Sequence, residues 1–325
     1  MLAAAVATTA IAVAGWEIVC RQRGYEAALD DDSDLWAAAR SRLDGAPRDQ
    51  IVLIGDSRML FDMDLDELER GLGGPRAIQL ATVATNPLYV LEHLAADEDF
   101  RGTVISGFSP RLYFLPPGGG EELPRKGIER YRHWSLAQKA SFRIFLPMDR
   151  RLAFLNKGEL DLRTFIERLQ VPQRDGVDTS FVPLIRRIDE LDRRSRLLSR
   201  LETDTAFRDQ VRAIWMSRGP PPPPDPILAN AVREGERQRT LWRAWAAVER
   251  IRRRGGRVIY VYFPASGPLR KLEERVFPRP HFWDALLAAT GAPGIHFQDH
   301  RELAGFECPE WSHLTAADSV EFTRR

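Results

Sequence analysis

Ile51-Val52-Leu53-Ile54-Gly55-Asp56-Ser57 is the stretch on which the reading of this chain turns. Four consecutive apolar residues closed by Gly55-Asp56 suit a strand buried on both faces, as in a parallel sheet. Ligand sites in open α/β sheets lie beyond the carboxyl ends of strands, so Ser57 stands where a nucleophile belongs. The tripeptide alone is also an ordinary turn, because glycine, aspartate and serine are common turn residues.

Working outward, Asp64 to Leu72 has helical spacing and stops at Gly73-Gly74. Ala77 to Leu80 reads as a second strand, Pro87 opens a helix through Leu94, and Thr103 to Ser106 reads as a third strand. Strand and helix alternating in this way predict right-handed βαβ units and an α/β fold with a parallel sheet. The pattern returns late in the chain. Asn230 to Arg254 is a long charged helix, Val258 to Phe263 a strand, Leu269 to Thr290 helical around Pro278 and Pro280, and Ile295 to Phe297 a last short strand. Between the halves, residues 111–226 form a mostly helical insertion whose Pro220 to Pro224 run is a stiff polyproline spacer.

A serine is a weak nucleophile alone and needs a base, itself oriented by a third group. Glu310-Trp311-Ser312-His313-Leu314-Thr315 supplies both, just after the last strand. A carboxylate three residues before a histidine on one loop can orient the imidazole while its other nitrogen faces the serine. An isolated histidine there would instead be read as capping or packing the final helix through Phe322.

Gly55-Asp56-Ser57 after the first strand, together with Glu310-Trp311-Ser312-His313-Leu314 near the end, resembles the SGNH/GDSL hydrolase superfamily. The resemblance spans roughly Gln50 to Arg325 and implies a flavodoxin-like three-layer sandwich, with the 111–226 insertion outside the family pattern. It implies a catalytic trio of Ser57, His313 and Glu310, with Glu310 standing where the family typically has an aspartate. It also implies oxyanion donors at Ser57, Ala84 and Ser109. Ala84 occupies a position where the family normally has a glycine, and Ser109, in Gly107-Phe108-Ser109, one where it has an asparagine. Asn86 is a further possible donor. The reaction implied is acyl-ester hydrolysis or acyl transfer on an acylated envelope glycan or glycolipid, as in the membrane-tethered, envelope-facing members. A catalytically inactive domain that binds such a glycan or a membrane-protein partner is the alternative, favoured by the two altered oxyanion positions.

Localisation rests on the first residues. Leu2 to Val19 is apolar or small apart from Thr8, Thr9 and Glu17, long enough nearly to span a bilayer core of about 30 Å. Residues 1–23 are therefore read as a single transmembrane anchor, 24–49 as a charged connecting segment with a short helix through Trp36 and Arg42, and 50–325 as the α/β domain. A cleaved signal peptide ending near Ala12-Val13-Ala14 is the rival reading. Arg21 and Arg23 alone favour a cytoplasmic carboxyl side, whereas the resemblance implies an extracytoplasmic domain.

Composition excludes rather than identifies. A net charge of +1 over 325 residues gives no global case for nucleic acid. Two cysteines, Cys20 and Cys308, imply no disulfide framework. No phosphate-binding glycine loop or zinc-ligand cysteine pair occurs, and no cofactor is expected. His296 and His300 beside Asp299 flank a strand and turn and do not read as a metal site. Arg125 to Lys157 holds nine Lys or Arg and two acids, with Trp134, Phe142, Phe145 and Phe154 interleaved. That segment reads as a solvated cap or as a contact for anionic headgroups or an acidic glycan.

Overall fold

The computed structural model describes residues 1–74, 77–116, 118–162, 182–188, 190–217 and 226–325. The polyproline spacer lies outside the described residues. In chain order come α1 (Leu2–Gln22), α2 (Ser33–Ser41), β1 (Ile51–Ile54), α3 (Ser57–Asp62), α4 (Leu65–Leu72), β2 (Ile78–Gln79), α5 (Leu88–Ala96) and β3 (Thr103–Phe108). There follow α6 (Pro110–Tyr113), α7 (Glu122–Arg132), α8 (Leu136–Asp149), a single 3-10 turn (Ala153–Leu155), α9 (Lys157–Leu160), β4 (Arg186–Ile188) and β5 (Ser195–Leu197). The rest comprises α10 (Arg200–Thr203), α11 (Thr205–Ser217), α12 (Pro226–Arg253), β6 (Arg257–Tyr262), α13 (Gly267–Val276), α14 (Arg279–Thr290), β7 (Gly294–His296), a second 3-10 turn (Phe297–Asp299) and α15 (Ala316–Arg324).

The five apolar runs pair into one parallel sheet with the order β2-β1-β3-β6-β7. Val52, Leu53, Ile54, Val104 and Tyr260 are buried within it, the outcome expected for strands covered on both faces. Helices α5, α12 and α14 pack side by side, and α15 packs against α3 and α4. A right-handed crossover from β1 to β2 runs opposite to those from β2 onward, which puts these two helix groups on opposite faces. The strand order reverses at β1 and β3, and that reversal opens a crevice at their carboxyl ends.

Two segments differ from the expectation. The predicted helix over 269–290 is broken, because Pro278 starts α14 and cannot continue α13. The span between β3 and β6 contains, besides helices, the antiparallel pair β4–β5, whose three-residue strands are too short to leave a periodic signal. That pair also draws the 24–49 segment into the domain. Arg193, fully buried beside it, donates to Asp31 (2.9 and 2.7 Å) and to the Gln79 and Ala81 carbonyls (2.9 and 2.8 Å). Trp36 of α2 is buried and donates its indole N–H to the Leu80 carbonyl at 3.0 Å. The charges of this segment are thus partly structural, since a buried carboxylate needs such partners.

Helix α1 is long and apolar enough to cross a membrane, with the residues of its apolar window exposed. Its carboxyl end is gripped by the domain. Glu17 accepts from the N–H groups of Ala153 (3.0 Å) and Phe154 (3.2 Å) and pairs with Arg21 (2.6 Å). Arg21 in turn donates to the Arg151 carbonyl at 2.6 Å.

Candidate active site

Gly55 and Gly107 decide where Ser57 stands. A Cβ on Gly55 would lie 2.4 Å from Met59 Cβ, and one on Gly107 would lie 2.9 Å from the same atom. Two missing side chains therefore let the first turn of α3 settle onto the ends of β1 and β3. Asp56 starts that turn by accepting from Arg58 N–H at 3.0 Å. Ser57 consequently opens α3 at the strand-order reversal.

His313 arrives from the far end of the chain, on the loop before α15. Its Nε2 lies 2.8 Å from Ser57 Oγ, and its Nδ1 lies 2.7 Å from Glu310 Oε1. The same carboxylate oxygen accepts the His313 backbone N–H at 2.6 Å. A carboxylate only accepts, so Nδ1 carries the ring proton and Nε2 offers its lone pair to the serine hydroxyl. Glu310 and His313 are buried, and Phe61 covers the imidazole with ring centroids 4.7 Å apart. Burial acts to lower the His313 pKa, but the Glu310 charge and hydrogen bond outweigh it, leaving the imidazole above its ordinary value. This is the pull that a general base needs when it takes a proton from serine.

Four residues around this trio are not announced by its motifs. Trp215 of α11 donates its indole N–H to Glu310 Oε2, and its ring meets His313 edge-on at 6.1 Å between centroids. Two residues earlier on the chain than Ile214, Arg212 donates twice to the Pro309 carbonyl (3.0 and 2.6 Å) and lies over the Trp311 ring. The available signal was periodic: Phe207, Val211 and Trp215 share one helix face, and the first two are buried. Arg58, adjacent to the serine, is buried and paired with Glu273 of α13 (3.1 and 2.6 Å), which ties α3 to the β6 side of the crevice. A cavity of about 160 Å³ opens beside Glu273 toward Phe108, Tyr262 and Trp283. Finally, Asp62 is fully buried, accepts the Leu314 N–H at 2.9 Å and leaves Oδ2 without a partner among the described residues. Burial pushes its pKa up to about 8 against the opposing pull of His313.

The expected oxyanion positions fare differently. Ala84 has a left-handed backbone (φ 55°), a conformation that suits glycine and costs an alanine about 1–2 kcal/mol. Ser109 is buried with its Oγ unpartnered among the described residues. Asn86 is committed elsewhere: its amide donates to the Tyr113 carbonyl (3.2 Å) and accepts from Leu88 N–H (3.0 Å). The Leu88 bond closes the turn that leads into α5, and the Tyr113 bond takes one of the two amide N–H groups.

Cys20 and Cys308 are both buried free thiols. Asp299 is held by Arg279 (2.5 and 2.7 Å), and His296 Nδ1 accepts from Gln298 N–H at 3.1 Å. Among the described residues no group of three or more His, Cys, Asp or Glu side chains is placed to hold a metal. No protein-family model, curated protein or solved structure matches the chain.

Proposed function

We propose that this chain is a membrane-tethered serine enzyme of the SGNH/GDSL type, with a helical insertion over about 111–226, that hydrolyses or transfers acyl esters on an envelope glycan or glycolipid. The observation that carries the reading is the continuous relay from Ser57 Oγ through His313 to Glu310, at 2.8 and 2.7 Å. The order of the sheet and the place of Ser57 at its reversal support it. Helix α1 supports the single-pass anchor; the extracytoplasmic side is what the resemblance implies.

In this mechanism Ser57 Oγ attacks the acyl carbonyl carbon while its proton passes to His313 Nε2. Glu310 holds the imidazolium in the productive tautomer. The tetrahedral oxyanion is received by the backbone N–H groups of Ser57 and Ala84 and by the Ser109 hydroxyl. Collapse expels the alcohol, which takes the proton from His313 Nε2 and leaves an acyl ester on Ser57. Water or a second sugar hydroxyl, deprotonated by His313, then resolves that ester and restores the serine.

The second reading is a non-catalytic SGNH-like domain that binds a glycan or a membrane-protein partner. Ser109 favours it, because a hydroxyl reaches less far than the family's amide, and one lost oxyanion donor typically costs about 100- to 1,000-fold in rate. A serine-directed fluorophosphonate separates the two, since activation of Ser57 depends on His313 and not on Ser109. Wild-type protein is expected to label, Ser57→Ala to abolish labelling and His313→Ala to reduce it strongly. Ser109→Asn is expected to label at least as well and to raise turnover of a simple ester. A folded wild-type protein that neither labels nor turns over ester would establish the binding reading instead.

A further inference from the structure

Helix α8 keeps none of its residues buried, although it is 14 residues long and closed at its start by a full capping box at Ser135. Its inner face packs Phe142 and Leu146 on Leu29, Leu35 and Ile188. A cavity of about 320 Å³, lined by Trp134, Phe142, Leu146 and Leu191 among others, separates the rest of that face from α2. The outer face is the more apolar one. Leu136, Ala140, Ile144 and Met148 follow each other at four-residue spacing, with Phe145 beside them. Leu136 is 85% exposed, Ile144 67%, Phe145 53% and Met148 42%. A helix that turns such a stripe outward is incomplete in water.

Two observations say what completes it. The first is position. Four and five residues after α8 ends, Ala153 and Phe154 bind Glu17 of α1, and the intervening Arg151 carbonyl receives Arg21. Glu17 and Arg21 mark the end of the apolar run of α1, so the outer face of α8 starts at the level where that helix would leave a bilayer. The second is charge. Lys139 and Arg143 stand at the edge of the cavity beside the stripe, Arg150 pairs with Glu190 of the domain at 2.8 Å, and Asp149 is the one acid of α8. Apolar residues on one face with basic residues at its flanks are the composition of a helix lying in a membrane surface, where cations meet lipid phosphates.

We propose that α8 is a second membrane contact, lying in the headgroup plane beside α1, with its Leu136–Met148 stripe among the acyl chains and Lys139 and Arg143 at the phosphates. The proposal rests on α1 crossing the bilayer and is independent of the chemistry at Ser57. It also accounts for the cavity beneath the helix, since packing against lipid from outside relieves α8 of the need for a full seat on the domain.

The test uses the full chain in vesicles of phosphatidylcholine and phosphatidylglycerol, with nitroxide labels at single introduced cysteines. Ile144→Cys and Met148→Cys report on the stripe, Ile11→Cys on α1, and Arg253→Cys on the water-facing end of α12; wild-type protein controls for the two buried native thiols. All four positions are exposed, so folding is not at stake. Labels at 144 and 148 are expected to be open to oxygen, shielded from a water-soluble nickel chelate, and about 5–10 Å below the headgroup boundary. If the chelate reaches 144 and 148 as freely as 253 while 11 stays in lipid, α8 is not a membrane helix and the proposal falls alone. Shielding of 144 and 148 from both reagents would mean that protein, such as a second copy, covers the stripe, which also overturns it. Free access of the chelate to 11 would remove the span and the proposal together.

Discussion

Asp62 stands one contact behind the relay, and its buried carboxyl group makes a pH signature that the trio alone would lack. Its pKa of about 8 lies far above that of an aspartate in an unfolded chain, about 3.9. The folded state therefore binds the extra proton. Stability associated with the neutral form is fully present below pH 4 and is lost as pH rises through 8. Asp62→Asn keeps an oxygen for the Leu314 N–H and cannot ionise. Chemical denaturation at pH 5 and pH 8.5 is expected to show wild type losing on the order of a few kcal/mol more than the variant over that interval. Equal losses would mean that Asp62 ionises freely in the fold. Legibility ended at the same boundary. Ser57, His313 and Glu310 were readable because each sits in a short motif whose spacing has a chemical reason. Asp62 and Arg58 were not, because their importance comes from burial and from partners more than two hundred residues away along the chain.

At the scale of elements, the strands of the sheet were legible because burial on both faces turns them into continuous apolar runs. The β4–β5 pair was not, and neither was the contribution of α11, since a helix gives no sign of which loop it will meet. Trp215 makes that contribution testable as a positioning residue. Trp215→Phe keeps an aromatic ring against His313 and removes the N–H from Glu310. Losing a hydrogen bond to a charged group costs about 1.5–3 kcal/mol, and stability should fall by that order. A carboxylate whose charge is no longer shared with the indole holds the His313 imidazolium more firmly. Because His313 must be neutral to accept the serine proton, the acid limb of ester turnover should move to higher pH. A uniform drop in rate, with the limb unmoved, would reduce Trp215 to a packing role.

At the scale of the molecule, α1 and the domain are expected to stay with membranes through high-salt and alkaline washes, because burying an apolar helix in lipid does not depend on surface charge. Quantitative release of the full-length chain into the soluble fraction would contradict the span. The join between the two parts has its own consequence. Enzymes held by a loose polar linker sweep a volume set by the linker's length. Here Glu17 and Arg21 bind the backbone at 151–154, so the last turns of α1 and the domain move as one piece. In the membrane-tethered enzyme proposed above, Ser57 would accordingly be mounted at a fixed altitude over the lipid surface instead of swinging on a leash. On that proposal, an ester carried within a thin layer at that altitude would meet the serine by two-dimensional diffusion, while one displayed further out would be beyond its reach however well it fitted the crevice.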